Sequence, residues 1–304
     1  MEASLLDAVT NAFVSALQDG LSTLSVYSIP LLGAFSVIAF YTQTWPLLAS
    51  GSGMVAEALA STLLGMVKFG VFFWILVNLA EMTTAALDTF FLWGLAPGGS
   101  LSLGTFQQPS AIINLGFAIA KPLVDFHSSW IDRLVPTFAL TLWGYSLAYW
   151  VVVVSFFAVA LHLVMVLIEF YMAVMCTAVL IPWGVVSVTA FFTEFSIGWV
   201  TGGLVRIMVT AAMVGIAQPL FGEMFVKTTP GGDPTWYGGI ALGLGSLMSA
   251  ILSWVVPGRA ANIAGRGVSL ALSASTVLAS AAGAGRGVLM VTSAIRGVSQ
   301  MMRR

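Results

Sequence analysis

The sequence predicts an all-α, polytopic helical membrane protein with about five transmembrane helices, and three observations carry that reading. Hydrophobic residues make up 59% of the 304 positions and charged residues only 8%, against about 25% charged in a soluble domain. Such a chain cannot cover a water-facing surface, so lipid must be its main solvent. Its apolar runs are continuous where a barrel strand would alternate, which leaves helices as the structure that satisfies its own backbone in lipid. The runs are also long: no charge occurs from Leu134 to Ile168, and none from Phe170 to Thr193.

Residues 1–25 read as an amphipathic N-terminal helix. Leu5, Leu6, Val9, Phe13, Val14, Leu17 and Leu21 recur at spacings of three and four, against Asp7, Thr10, Asn11, Gln18 and Asp19. Two placements fit it, the membrane interface and the protein's own bundle. Its polar face lacks the Lys and Arg usual at an interface. Glu2 and Asp7 stand where a signal peptide would carry basic residues, so no cleaved signal is expected.

Residues 26–256 form the polytopic domain. A first span covers about Val26 to Leu48, with Trp45-Pro46 marking its far end. A second runs from about Val55 to Ala80 and carries Lys68 near its centre. Residues 81–136 then read as an extramembrane loop with its own helix. They hold a Gly, Ser, Gln and Pro cluster followed by Lys121, Asp125, His127, Asp132 and Arg133, in a stretch too short to bury a core of its own.

A helix from Pro136 to Pro182 would approach about 70 Å, more than twice a hydrocarbon core of about 30 Å. One long helix leaving the membrane at one end is the preferred reading. Two spans meeting at a turn near Glu169 would raise the count to six. Pro182, Trp183 and Gly184 read as an interfacial aromatic inside a helix break. Further spans follow at Trp199 to Leu220, with Arg206 inside and a second break at Gln218-Pro219, and at about Ile240 to Val256. Residues 257–304 are an Ala, Gly and Ser-rich tail with Arg259, Arg266, Arg286, Arg296, Arg303 and Arg304 and no acid. Tails of this composition are flexible or loosely helical.

Arginines directly after the last span place the C-terminus in the cytoplasm by the positive-inside rule. Counting back through five crossings gives an N-out, C-in protein with loop 81–136 in the periplasm.

Lys68, His162, Glu169 and Arg206 are the candidate intramembrane polar positions. Each of the three ions costs about 2.5–3.5 kcal/mol at membrane depth, so each should face a partner, a protein interior or a water-filled path. One reading is a polar line through a pore or a subunit interface; the other is a Lys-Glu or Arg-Glu pair that holds helices together. Glu169 stands thirteen residues before Pro182, roughly 20 Å along a helix, which puts it inside the hydrocarbon as a packing or assembly contact. His162, two turns before Glu169, is expected to bond a neighbouring helix. Gly239 with Gly243, and Ala211 with Gly215, have the spacing of close helix contacts.

No enzyme or cofactor motif is present: there is no HExxH, no GxSxG and no phosphate-binding glycine loop. Cys176 is the only cysteine, and His127 and His162 make no ligand pair. No catalysis, metal or cofactor is therefore expected.

The stretch LIEFYMAVMCTAVLIPWGVVSVTAFFTE (167–194) resembles the hallmark segment of the TrbL-type polytopic proteins of conjugative type IV secretion systems, relatives of the VirB polytopic subunit. In them an apolar helix with LIEF leads to LIP-aromatic-Gly and a short loop with Phe and Glu, here Phe191, Phe192 and Glu194. Residues 202–225 and the phenylalanine-rich run after Lys68 are similar in pattern too. The resemblance covers most of residues 25 to 256. It implies a multi-pass subunit of the bacterial inner membrane that acts in protein secretion and DNA transfer. As an oligomer it would stand at the base of the pilus and aid substrate passage or pilus assembly. Implied partners are pilin, minor pilus and core-complex proteins, secretion ATPases, membrane lipid and further copies of the chain, with translocated DNA or protein touched only transiently. The tail is shorter than in many relatives, which weakens any carry-over to tail contacts. The alternative function is a small-solute or ion-coupled transporter subunit, in which Glu169 and His162 would couple protons or ions to transport.

Overall fold

A computed structural model describes residues 3–49, 55–98, 108–124, 136–228 and 235–271. Seven α-helices follow one another among them: α1 (Ala3–Ala49), α2 (Val55–Val77), α3 (Leu79–Leu95), α4 (Pro109–Val124), α5 (Pro136–Leu180), α6 (Ala190–Thr228) and α7 (Trp236–Ala271), with a 3-10 turn at Ile181–Gly184 between α5 and α6. No strand occurs among the described residues. Four helices are long and apolar enough to cross a membrane, and α2 with α3 makes five if that bent pair is one span.

The central element is α5, 45 residues without a break. No turn forms at Glu169, so the six-crossing alternative falls away. Buried Val152, Val159, Leu163, Val166, Phe170, Val174 and Ala178 run along one side of it at the three- and four-residue spacing of a core-facing stripe. Around it pack α4, α6, α7 and α1. Trp143, Leu147 and Trp150 point outward and are well exposed.

Three features depart from the sequence expectations. First, α1 is continuous, so the amphipathic segment and the first span are one helix. Its N-terminal part packs on the bundle through a mixed face: Leu6, Val14, Leu17 and Leu21 join the core, Asp7 accepts from the Ser110 amide at 2.9 Å and from its hydroxyl, and Gln18 donates to the Tyr171 hydroxyl at 3.0 Å. Asp7 thereby supplies an acceptor at the N-terminus of α4, where backbone amides lack intrahelical partners. Val9 and Phe13 face outward instead.

Second, the helix that starts at Val55 bends by 71° at Asn78. The Asn78 amide side chain donates to the Trp74 carbonyl at 2.8 Å, tying it to the end of α2. Residues 79–98 then do not leave the bundle as a loop; they lie along α6. A Cβ on Gly98 would overlap the Gly215 carbonyl, and one on Gly94 the Met208 carbonyl, so backbone meets backbone there.

Third, proline does not end the later helices. Both α6 and α7 pass through Pro219 and Pro257. The expected break at Gln218-Pro219 is absent, and the first residues of the presumed tail, through Ala271, continue the last span. A proline removes one intrahelical bond, yet both helices run on, and the residues after Pro257 pack against α6 at Ala261 and Gly265. Arg286 and the rest of the tail after Ala271 lie outside the described residues, as do His127 and the side chain of Arg266.

Candidate functional site

The α5–α6 hairpin positions the charged candidates. Its turn uses Pro182-Trp183-Gly184 as a junction of four elements. Trp183 packs on Phe35 of α1 and Phe192 of α6, with ring centroids 4.7 and 5.7 Å apart. Buried Gly184 faces Phe72 of α2 and Thr193: an added Cβ would stand 2.9 Å from each. The carbonyls freed at the end of α5 are recovered, since Thr193 donates to the Leu180 carbonyl at 2.7 Å and Thr189 to that of Trp183 at 2.8 Å. A helix end buried without such partners would be costly, so the two threonines make the break sustainable.

Glu169 and Arg206 lie on the two arms of this hairpin at nearly equal distances from the turn, and they form an ion pair through Arg206 Nη1 and Glu169 Oε2. The pair is not enclosed: the Glu169 side chain is 48% exposed and that of Arg206 22%. Arg206 Nε is buried with no hydrogen-bond partner.

The pair lines a groove of about 650 Å³ between α5, α6 and α7. Its floor is built from small residues. Gly198 and Gly202 of α6 meet Gly265 and Ala261 of α7, where a Cβ on Gly198 would stand 2.8 Å from the Gly265 carbonyl oxygen and one on Gly202 3.0 Å from that of Ala261. Small residues four apart on both helices let the backbones approach in this way. Phe195 and Trp199 are exposed beside it.

The remaining candidates are dispersed. His162, fully buried one turn before Val166 of the groove, stacks on Trp254 of α7 at 4.8 Å, and neither ring nitrogen has a hydrogen-bond partner. The expected bond to a neighbouring helix is thus a ring contact. Lys68 is half-buried on α2 at the Pro182 end, away from Glu169, and no ion pair of it occurs among the described residues. Gly239 and Gly243 pack on Tyr145 and Ala148 of α5. Arg259 is exposed on α7 next to Gly258 of the groove. No group of three His, Cys, Asp or Glu able to hold a metal occurs among the described residues.

Measured along α5 from Pro182, Glu169 falls well inside an apolar run. The residues of α7 across the groove from it, Gly258 to Gly265, belong to the apolar stretch Trp236–Gly265, on which Arg259 and Asn262 are exposed.

A helical, multi-pass membrane protein with one overlong central helix and a charged pair tying its hairpin is the class that this geometry defines. A family model described as TrbL/VirB6 plasmid conjugal transfer protein matches residues 36–256. That is more than two thirds of the chain, and the chain belongs to this family. It is a component of a conjugal transfer system. Set against curated proteins individually, it matches none.

Proposed function

We propose that this chain is a non-catalytic, channel-associated subunit of the bacterial inner membrane that supports substrate passage or pilus assembly in conjugative DNA transfer. It would lie N-out and C-in, beside pilin, minor pilus and core-complex proteins, secretion ATPases and further copies of itself.

The observation that carries this reading is a mismatch of lengths. At 45 residues, α5 is about 68 Å long. Even at a steep tilt of about 40° only about 40 Å of it would lie in lipid. Yet large apolar side chains are exposed at both ends, Trp143 at 78% and Leu147 at 70% near its start, Val188 at 80% and Phe195 at 71% beyond its end. Apolar surface that the bilayer cannot cover marks protein contact, which fits a subunit embedded in a larger apparatus better than a solitary permease.

Purification in mild detergent tests the proposal. Pilin, secretion ATPases and core-complex proteins should co-purify, and deletion of the gene should abolish DNA transfer without a solute phenotype. A clean monomer, with small-solute uptake in proteoliposomes, would overturn it in favour of the transporter.

A further inference from the structure

We infer that the polar face shared by α1 and α3 is a docking surface for the arginine-rich C-terminal segment of this same chain, residues 286–304. The inference stands independently of the role in transfer.

The face is acidic and has no counter-charge of its own. On α1, exposed Asn11, Ser15, Asp19 and Ser22 recur at spacings of four, four and three. On α3, exposed Glu81 and Thr84 share a stripe with half-buried Asp88. Neither helix contains a Lys or Arg. The two helices touch, and Tyr171 of α5 joins them. Gln18 donates to its hydroxyl at 3.0 Å, and the Asp88 carboxylate lies within electrostatic range of it. Asp19 and Glu81 have no ion pair among the described residues. Both acids stand on helices of membrane-spanning composition, where an exposed carboxylate calls for a cation or for water.

The chain carries matching charge in the residues that follow the described part of α7. After Ala271 come Arg286, Arg296, Arg303 and Arg304 and no acid. Val288, Val291, Ile295, Val298 and Met302 recur there at spacings of three and four, while Arg286, Ser293, Arg296, Gln300 and Arg303 fall on the other side. That is the pattern of a basic amphipathic helix. The face offers both kinds of contact, since each polar stripe runs on into an exposed apolar residue, Val26 on α1 and Leu92 on α3. Arginine is long enough to pack its stem there and still reach a carboxylate.

The segment starts within reach. Both α7 and α3 pack on α6, so about two helix spacings of 8–10 Å separate them. Gly265 meets Gly198, and Gly94 meets Met208, which puts Glu81, thirteen residues before Gly94, toward the same end of α6 as Gly265. Residues 272–285 are rich in Ala, Gly and Ser, and a coil of that length and composition spans about 20 Å. Such a tether makes the encounter intramolecular and favours the chain's own face over a free partner.

The test cross-links the full chain in nanodiscs containing phosphatidylglycerol, so that an anionic bilayer competes for the segment. Thr84→Cys and Gln300→Cys are combined with Cys176→Ala and treated with a short bis-maleimide. A second protein carries Gln300→Cys alone, because native Cys176 is exposed on the Glu169 side of α5, seven residues on and away from Tyr171. Linking within one chain should be faster to position 84 than to Cys176. Asp19→Lys with Glu81→Lys should slow it by about tenfold, as two exposed ion pairs turned into repulsions allow. Adding Arg296→Glu with Arg303→Glu should restore the rate, which also shows that the fold survives the reversal. Equal linking to Cys176, linking only between chains, no linking at all, or a rate unmoved by charge reversal would overturn the assignment.

Discussion

The same hairpin carries two regions built on opposite terms. At the Pro182 turn every freed carbonyl named above finds a threonine, and Gly184 has no room for a side chain. Four turns or so back along the arms, the Glu169–Arg206 groove keeps a half-exposed carboxylate and open space over Gly258. A closed junction fixes how elements meet; an open, charged groove has capacity left for something else. The contrast teaches which of the sequence's unusual residues hold the fold and which are free to act.

The largest expected effect sets glycine against glycine. Gly184→Leu would push a side chain into Phe72 and Thr193, and overpacking of this kind costs about 1–3 kcal/mol. Gly258→Leu should leave stability unchanged or raise it slightly, since leucine also favours a helix over glycine. Thermal unfolding in detergent compares the two. If Gly258→Leu proves the more damaging, the groove is closed and the comparison fails.

A smaller effect is expected at the pair itself. Glu169→Gln should lower stability by about 1 kcal/mol, because it exchanges a charged acceptor for a neutral one at a partly exposed site. Glu194, in the first turns of α6, is half-buried and has no ion pair among the described residues. DNA transfer should therefore fall further for Glu169→Gln than for Glu194→Gln, and equal transfer frequencies would deny Glu169 a special part in assembly.

How much of this could be read in the chain differs between the two regions. The break at Pro182-Trp183-Gly184 was legible because proline and glycine are local signals, as were the spans, whose uncharged runs announce themselves. That a cation would pair with Glu169 to tie helices was among the readings of the charges, but whether it was Lys68 or Arg206 was left open. The signal was there: Glu169 and Arg206 are almost symmetric about residue 187, the middle of the hairpin. The α6–α7 contact was missed because Ala261 and Gly265 fell in a stretch read as tail, although Gly198 and Gly202 have the same four-residue spacing as Gly239 and Gly243. The bend at Asn78 had no proline or glycine to mark it. It depends on the seat that Gly94 and Gly98 find on α6, a tertiary fact with no local trace.

His162 gives the smallest and most diagnostic change, since it belongs to neither region. It is fully buried against Trp254 with both nitrogens unpartnered. An unpaired buried polar group costs about 1–3 kcal/mol in proteins, partly offset here by the ring contact. His162→Phe keeps an aromatic ring against Trp254 and removes the polar atoms, so it should be neutral or stabilise by up to about 1 kcal/mol; His162→Ala should destabilise by roughly 3 kcal/mol, as loss of a buried ring does. Destabilisation by phenylalanine as large as that by alanine would mean that the imidazole is hydrogen-bonded in the membrane. In that case the polar line would extend from Glu169 and Arg206 two turns deeper along α5, and the groove would be the mouth of a longer polar path.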